Sequence, residues 1–149
     1  MPKTEPDTAQ KTATVRLTRR FAVAPETLFD AWLDPKVAGR FLFATPTGQM
    51  VRAETDPRVG GAFTFTDRRP EMGDVEHVGT YLEIDRPRRL VFEFCVPKYE
   101  RQLTRVTIDI TPDGDGSVLT LTHDGVFEAY AKQTEHGWGM ILTSLEGAF

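Results

Sequence analysis

The residues whose chemistry could most readily carry a reaction are few in this 149-residue chain: three histidines, one cysteine and two serines. His77, His123 and His136 lie in three separate segments without close-paired spacing, so no metal site is expected. Ser117 and Ser144 sit in no nucleophile-elbow pattern, and Cys95 shares its strand face with Val91 and Glu93. Nucleophilic catalysis therefore has no visible agent. No Gly-rich phosphate loop precedes a Lys-Ser or Lys-Thr pair, and Gly137-Trp138-Gly139 falls inside a helical pattern, so neither nucleotides nor any other cofactor is indicated.

What remains is proton transfer. His123 ends an apolar strand face, Arg19 falls on the apolar parity of another strand, and Glu54 or Glu83 could supply a carboxylate, the residue types that general acid and base work requires. Each has a plainer reading. His123 is equally a core imidazole hydrogen-bonded to backbone near Asp124, and Arg19 either pairs with a buried carboxylate or points a charge into a cavity.

The elements that must position these residues follow from pattern. Val15, Leu17, Phe21 and Val23 alternate with Arg16, Thr18, Arg20 and Ala22, the period of a strand with one buried face. Pro25 suits a first helical position, and Leu28, Phe29 and Trp32 then recur at helical spacing until Asp34-Pro35. A second helical turn is expected from Lys36 to Arg40. Phe41, Leu42 and Phe43 follow as an apolar knot, read either as core filling or as a flap over a pocket mouth.

From Met50 to His123 the chain reads as strands separated by turns: Asp56 to Gly61, Arg69 to Asp74, Asp85 to Pro87, Pro97 to Arg101 and Pro112 to Gly116. Gly79 is a candidate bulge, and a bulge there would leave the facing of His77 undecided. Leu90, Phe92 and Phe94 share one face; so do Val106, Ile108 and Ile110, and again Leu119, Leu121 and His123. The tail from Phe127 to Phe149 carries Trp138, Leu142, Leu145 and Phe149 at spacings of four, three and four, a long amphipathic helix. The order is one strand, two short helices, six strands and a long helix: an α+β arrangement of about seven antiparallel strands curved around a C-terminal helix.

Composition narrows the function classes. Eighteen Lys and Arg against 22 Asp and Glu give a net charge of −4, which removes the electrostatic footprint of a dedicated nucleic-acid binder. No apolar stretch approaches the roughly 20 residues needed to cross a bilayer. With one cysteine and no secretory signal at Met1 to Thr12, a cytoplasmic setting is expected, with a flexible tail over residues 1–12 and one domain over residues 13–149.

Several strings occur in the order of a known family. Thr18-Arg19-Arg20-Phe21 through Ala24-Pro25, Leu28 to Trp32, Asp56 to Gly61, Gly79 to Ile84 with Arg89 to Phe92, and Leu119 to His123 with His136-Gly137-Trp138 together resemble the SRPBCC superfamily. That superfamily includes START lipid-transfer domains, birch-pollen-allergen-like proteins and polyketide cyclases. The closer resemblance is to its bacterial branch named after the activator of the ninety-kilodalton heat-shock chaperone ATPase. One departure is that many relatives carry Trp near position 41 before a proline, whereas this chain reads Arg40-Phe41-Leu42-Phe43 with the proline delayed to Pro46.

The resemblance implies a helix-grip fold with a cavity between sheet and long helix that takes a hydrophobic small molecule. The residues expected to line it are Phe41, Phe43, Phe65, Phe92, Phe94, Val106, Ile108, Leu121, His123, Trp138 and Leu142. Three readings follow: noncatalytic binding of a small apolar or amphipathic molecule; a cyclase-like or hydrolase-like enzyme on a ring-bearing substrate; and an interaction protein that stimulates a chaperone or partners a regulator. The chaperone-contacting amino-terminal domain of the full eukaryotic activator has no counterpart in this sequence, which weighs against the third.

Overall fold

A computed structural model of the chain describes residues 11–149; the tail expected over residues 1–12 falls, up to residue 10, outside the described residues. The elements are β1 (Thr12–Phe21), α1 (Pro25–Ala31), α2 (Pro35–Phe41), β2 (Gln49–Thr55), β3 (Ala62–Arg69), β4 (Gly73–Asp85), β5 (Arg89–Val96), β6 (Glu100–Asp113), β7 (Gly116–Phe127), a 3-10 turn (Glu128–Tyr130) and α3 (Ala131–Glu146). All seven strands form one antiparallel sheet in the order β1-β7-β6-β5-β4-β3-β2. Strands β2 to β7 are a meander, each paired with its sequence neighbour, and β1 returns to close the array beside β7. The predicted α+β helix grip is the observed fold.

Strand parity explains which face is covered. Phe63 and Phe65 of β3, Phe92 of β5, Val106 and Ile108 of β6, and Leu119 and Leu121 of β7 are all buried, as period-two alternation requires of a face turned to a core. Helix α3 packs against β1, β7 and α2, and turns Trp138, Leu142 and Leu145 inward. Asp34 caps α2 by accepting from the Lys36 backbone N–H, which with Pro35 at the first position explains why this seven-residue helix starts where it does.

Two local expectations are corrected. The long helix begins later than Phe127, because β7 runs on to pair Phe127 with Thr12 and the Glu128 N–H donates to the Lys11 carbonyl. The chain then makes a 3-10 turn before α3, whose 16 residues span about 24 Å. Gly79 is not a bulge: the β3–β4 register runs unbroken through Phe63 and Gly79, and the irregularity on β4 falls between Tyr81 and Glu83. Glycine stands at position 79 because a Cβ there would collide with the Phe63 ring and the Glu93 carbonyl. His77 accordingly keeps the parity of Tyr81 and is buried on the inner face.

Of the two expectations for Arg19, the buried carboxylate is not met and the cavity is: β1 is an edge strand, so its inward parity looks onto the flank of α3, where Arg19 borders an open cavity and its guanidinium donates to Thr143 Oγ1 at 2.8 Å.

Candidate functional site

The concave face is not evenly filled. Over its middle, large side chains from sheet, α1, α2 and α3 interlock, and Phe41, Phe65, Phe92, Val106, Ile108, Leu121 and Leu142 are essentially inaccessible to solvent. These seven of the residues expected to line a pocket are core. Phe43 joins them by an unusual route. Its backbone adopts φ of 62°, the left-handed region that a bulky side chain rarely enters. There the Phe43 ring stacks on His77 with centroids 4.2 Å apart and touches Phe65, Phe94 and Trp138. The backbone strain, on the order of 1–3 kcal/mol, is offset by this four-sided aromatic packing. Phe43 thus closes the interior off between His77 and Trp138; the Phe41 to Phe43 knot is buried packing.

Toward the N-terminal end of α3 the layers part. A cavity of about 770 Å³ opens between the β5–β6 hairpin and the β7–α3 connection. Its walls are mainly apolar, with Phe94, Val96, Val126 and Phe127 inside and Tyr99 and Tyr130 at the mouth, more than half exposed. Of the residues expected to line a pocket, Phe94 and His123 do so here, and Trp138 stands directly behind His123. Glu100 is the one charged side chain among the residues lining it. A register shift on β5 between Phe94 and Val96 explains why Phe94, Cys95 and Val96 all reach this cavity, although strict alternation would turn Cys95 away.

The polar element of the cavity is a directed chain of hydrogen bonds. Trp138 Nε1–H donates to His123 Nδ1 at 2.9 Å, and His123 Nε2 lies 2.8 Å from Thr104 Oγ1. An indole nitrogen is only ever a donor, so Nδ1 must be the bare nitrogen and Nε2 must carry the proton. His123 therefore donates to the Thr104 hydroxyl oxygen. Burial pushes the His123 imidazole down to about 4, with Asp124 opposing the shift only in part, so the ring is neutral at pH 7. Its partners are side chains, not the backbone near Asp124 that the sequence suggested.

Thr104 escaped the sequence reading. It shares the parity of Val106, Ile108 and Ile110 on β6, and Val106 pairs with His123, which puts Thr104 diagonally across the ladder from the imidazole. That parity was the available signal. Gly125, at φ of 84°, faces the Thr104 methyl and leaves the hydroxyl on the histidine side.

The other residues with chemical potential stand apart from this site. His77 lies behind Phe43, buried, with its Nδ1 without a side-chain partner; burial and then the nearby Arg69 charge depress it to about 4 against the opposing effects of the Phe65 backbone, Asp67 and the Val75 backbone. Asp67 is buried too and accepts from Thr45 Oγ1 and Arg69 Nε. His136 is exposed on α3, and Glu54 is engaged with Arg52 on the edge strand β2. Among the described residues no three His, Cys, Asp or Glu side chains gather as a metal would need, and no helix is long and apolar enough to cross a membrane. A second cavity, of about 780 Å³, lies between β1 and the polar side of α3, walled by Leu17, Arg19, Lys132, Met140 and Thr143 among others.

The architecture is shared with solved bacterial proteins. Protein CV1439 from Chromobacterium violaceum superposes with a TM-score of 0.82 at 25% identity, covering 90% of this chain and 94% of that one. A protein of unknown function from Staphylococcus aureus, SA2116, reaches 0.84 at 11% identity over 95% of each chain, and an AHSA1-like protein from Aeromonas hydrophila 0.79 at 20% over 91% of each. No curated protein matches this chain. The sequence itself matches the family described as Activator of Hsp90 ATPase homolog 1-like protein over residues 22–149, from the end of β1 through α3. The chain therefore belongs to the AHSA1-like family of the SRPBCC superfamily.

Proposed function

We propose that this protein holds a small, mainly apolar or amphipathic molecule in the cavity at the N-terminal end of α3 and does not transform it. The observation that carries the reading is the cavity itself: about 770 Å³, walled by aromatic and aliphatic side chains, with one short polar chain at its inner end. Small-molecule sites fall in the range of about 300–1,000 Å³ and have this composition. Exposed Tyr99 and Tyr130 give the mouth amphipathic edges that suit entry of an apolar body from water.

The absence of reaction chemistry in this reading follows from His123. A general base needs a free nitrogen and a general acid needs a proton it can release near neutral pH. In His123 the bare nitrogen is occupied by the indole N–H, and the protonated one already faces Thr104. The imidazole is thereby suited to orient a hydroxyl.

The reading is tested with Nile red, a neutral apolar dye whose emission rises on leaving water. The wild type is expected to bind it. Phe94→Asp puts a carboxylate into a wall that is 8% exposed and is expected to weaken binding by about 30-fold or more, while far-UV dichroism stays that of the wild type. Unchanged dye binding in a folded Phe94→Asp protein would remove this cavity as the site.

A further inference from the structure

The relay that ends at Thr104 has a direction, and direction selects ligands. Trp138 donates to His123, His123 donates to Thr104, and the Thr104 oxygen is thereby used as an acceptor. Its own proton has no acceptor side chain among the described residues, and Thr104 lines the cavity. A hydroxyl in this state offers a donor to whatever enters, since the indole at the head of the chain cannot reverse it. The free proton favours a ligand acceptor, while the second lone pair of the oxygen leaves room for a ligand donor as well.

Charge narrows the choice further. Glu100 is the one charged side chain among those lining the cavity; no Lys or Arg lines it, and Arg101, whose charge reaches Cys95 at the wall, stands outside that lining. A carboxylate, sulfonate or phosphate entering this end would leave its charge uncompensated beside Phe94 and Val126 and would meet the field of Glu100 at the mouth. From these two observations we infer that the cavity is specific for uncharged molecules that place a carbonyl-type oxygen against Thr104, ring ketones, quinones or esters, and that it rejects fatty acids and other organic anions. The inference rests on the ligand-binding reading above and gives that ligand its chemical class.

The test uses three naphthalene probes of similar size: 2-acetylnaphthalene, with a carbonyl; 2-ethylnaphthalene, with no polar atom; and 2-naphthoate, an anion. Dissociation constants are measured for the wild type and for Thr104→Val, which keeps the shape of the side chain and removes the hydroxyl. The Val variant is expected to bind the ketone about fivefold more weakly, the worth of one neutral hydrogen bond, and to bind the hydrocarbon as well as the wild type or better. The wild type is expected to take the naphthoate less well than the ketone. Thr104→Ser, which restores the hydroxyl, is expected to restore the ketone preference. In the wild-type complex the carbonyl stretch of the ketone should lie below its position in a hydrocarbon solvent, a readout independent of any variant.

The outcomes separate. If all three probes bind the wild type but Thr104→Val weakens ketone and hydrocarbon alike, or if the naphthoate binds best, the acceptor inference is overturned and the binding reading stands. If none binds the wild type, the binding reading falls and takes the inference with it.

Discussion

Stability should fall steeply as pH drops from about 6.5 to about 4, because two histidines are buried uncharged in the folded state. The sign is fixed by linkage. Both imidazoles are depressed to about 4 when folded, while in the unfolded chain they titrate near 6.5, so between these values the unfolded state binds more protons. Stability is fully present above pH 6.5 and is lost progressively on acidification. For His77 desolvation and then Arg69 lower it against the Phe65 backbone, Asp67 and the Val75 backbone; for His123 desolvation lowers it against Asp124. Protonating His123 would also set two donors against each other, imidazolium and indole, at the 2.9 Å contact.

A shift of this size is worth on the order of 3 kcal/mol for each histidine. Together the two approach the whole stability of an ordinary domain, about 5–15 kcal/mol. Urea unfolding at a series of pH values is expected to show the midpoint falling throughout this window, with a shallower slope in His77→Leu. The carboxylates Asp30 and Asp74, held below their usual range by Arg86 and Arg68, act in the same sense only below pH 4. An unfolding free energy that stays flat from pH 7 to 5 would contradict the neutral burial of both rings.

Removal of the Trp138 side chain is expected to have the next largest effect. Trp138 is 3% exposed and stands among Phe43, Phe94 and His123, so Trp138→Ala should cost about 3–5 kcal/mol through the space it leaves. Trp138→Phe fills most of that space but withdraws the indole N–H, leaving His123 Nδ1 buried without a donor, at about 1–3 kcal/mol. The second substitution also releases the tautomer. In the wild type, nitrogen-15 spectra of His123 should show Nδ1 bare and Nε2 protonated; in Trp138→Phe that fixed assignment should be lost. A wild-type imidazole protonated on Nδ1 would contradict the relay from which the ligand preference is argued.

These effects also mark what strand and helix periods convey. Alternation along β3, β5, β6 and β7 states which side chains face inward, and the spacing of Trp138, Leu142 and Leu145 states which stripe of α3 meets them. That is most of the fold. Alternation does not state where along the concave face sheet and helix separate, and so Phe65, Val106, Ile108 and Leu121, inward like Phe94, lie in solid core while Phe94 borders a cavity. Position along the strand made the difference: Phe94 and Thr104 sit near the β5–β6 hairpin, beyond the part of the sheet that α1 and α2 fill.

Other features depend on neighbours distant in sequence. His123 could be placed on an inner face, but its tautomer comes from Trp138 and its second partner from Thr104 on the adjacent strand. The left-handed backbone of Phe43 has no signature in a Phe-Leu-Phe string, since it exists only because four rings surround the side chain once the sheet and α3 are in place. Gly79 was legible as special but not for its reason, which is the Phe63 ring on the paired strand and not an extra residue in the ladder. Arg19 shows the reverse: correct parity on an edge strand led past the core to Thr143 on the flank of the helix.

The claim that the cavity at the start of α3 is the binding site is tested most directly by titrating nitrogen-15-labelled protein with 2-acetylnaphthalene and following its backbone amide signals. The account predicts saturable shifts concentrated on Phe94 to Val96, Thr104, Gly125 to Phe127, Tyr130, Gln133 and Thr134, the residues around that cavity. Shifts gathered instead along Leu17, Arg19, Met140 and Thr143, where the second cavity lies, or no saturable shifts at all, would contradict it.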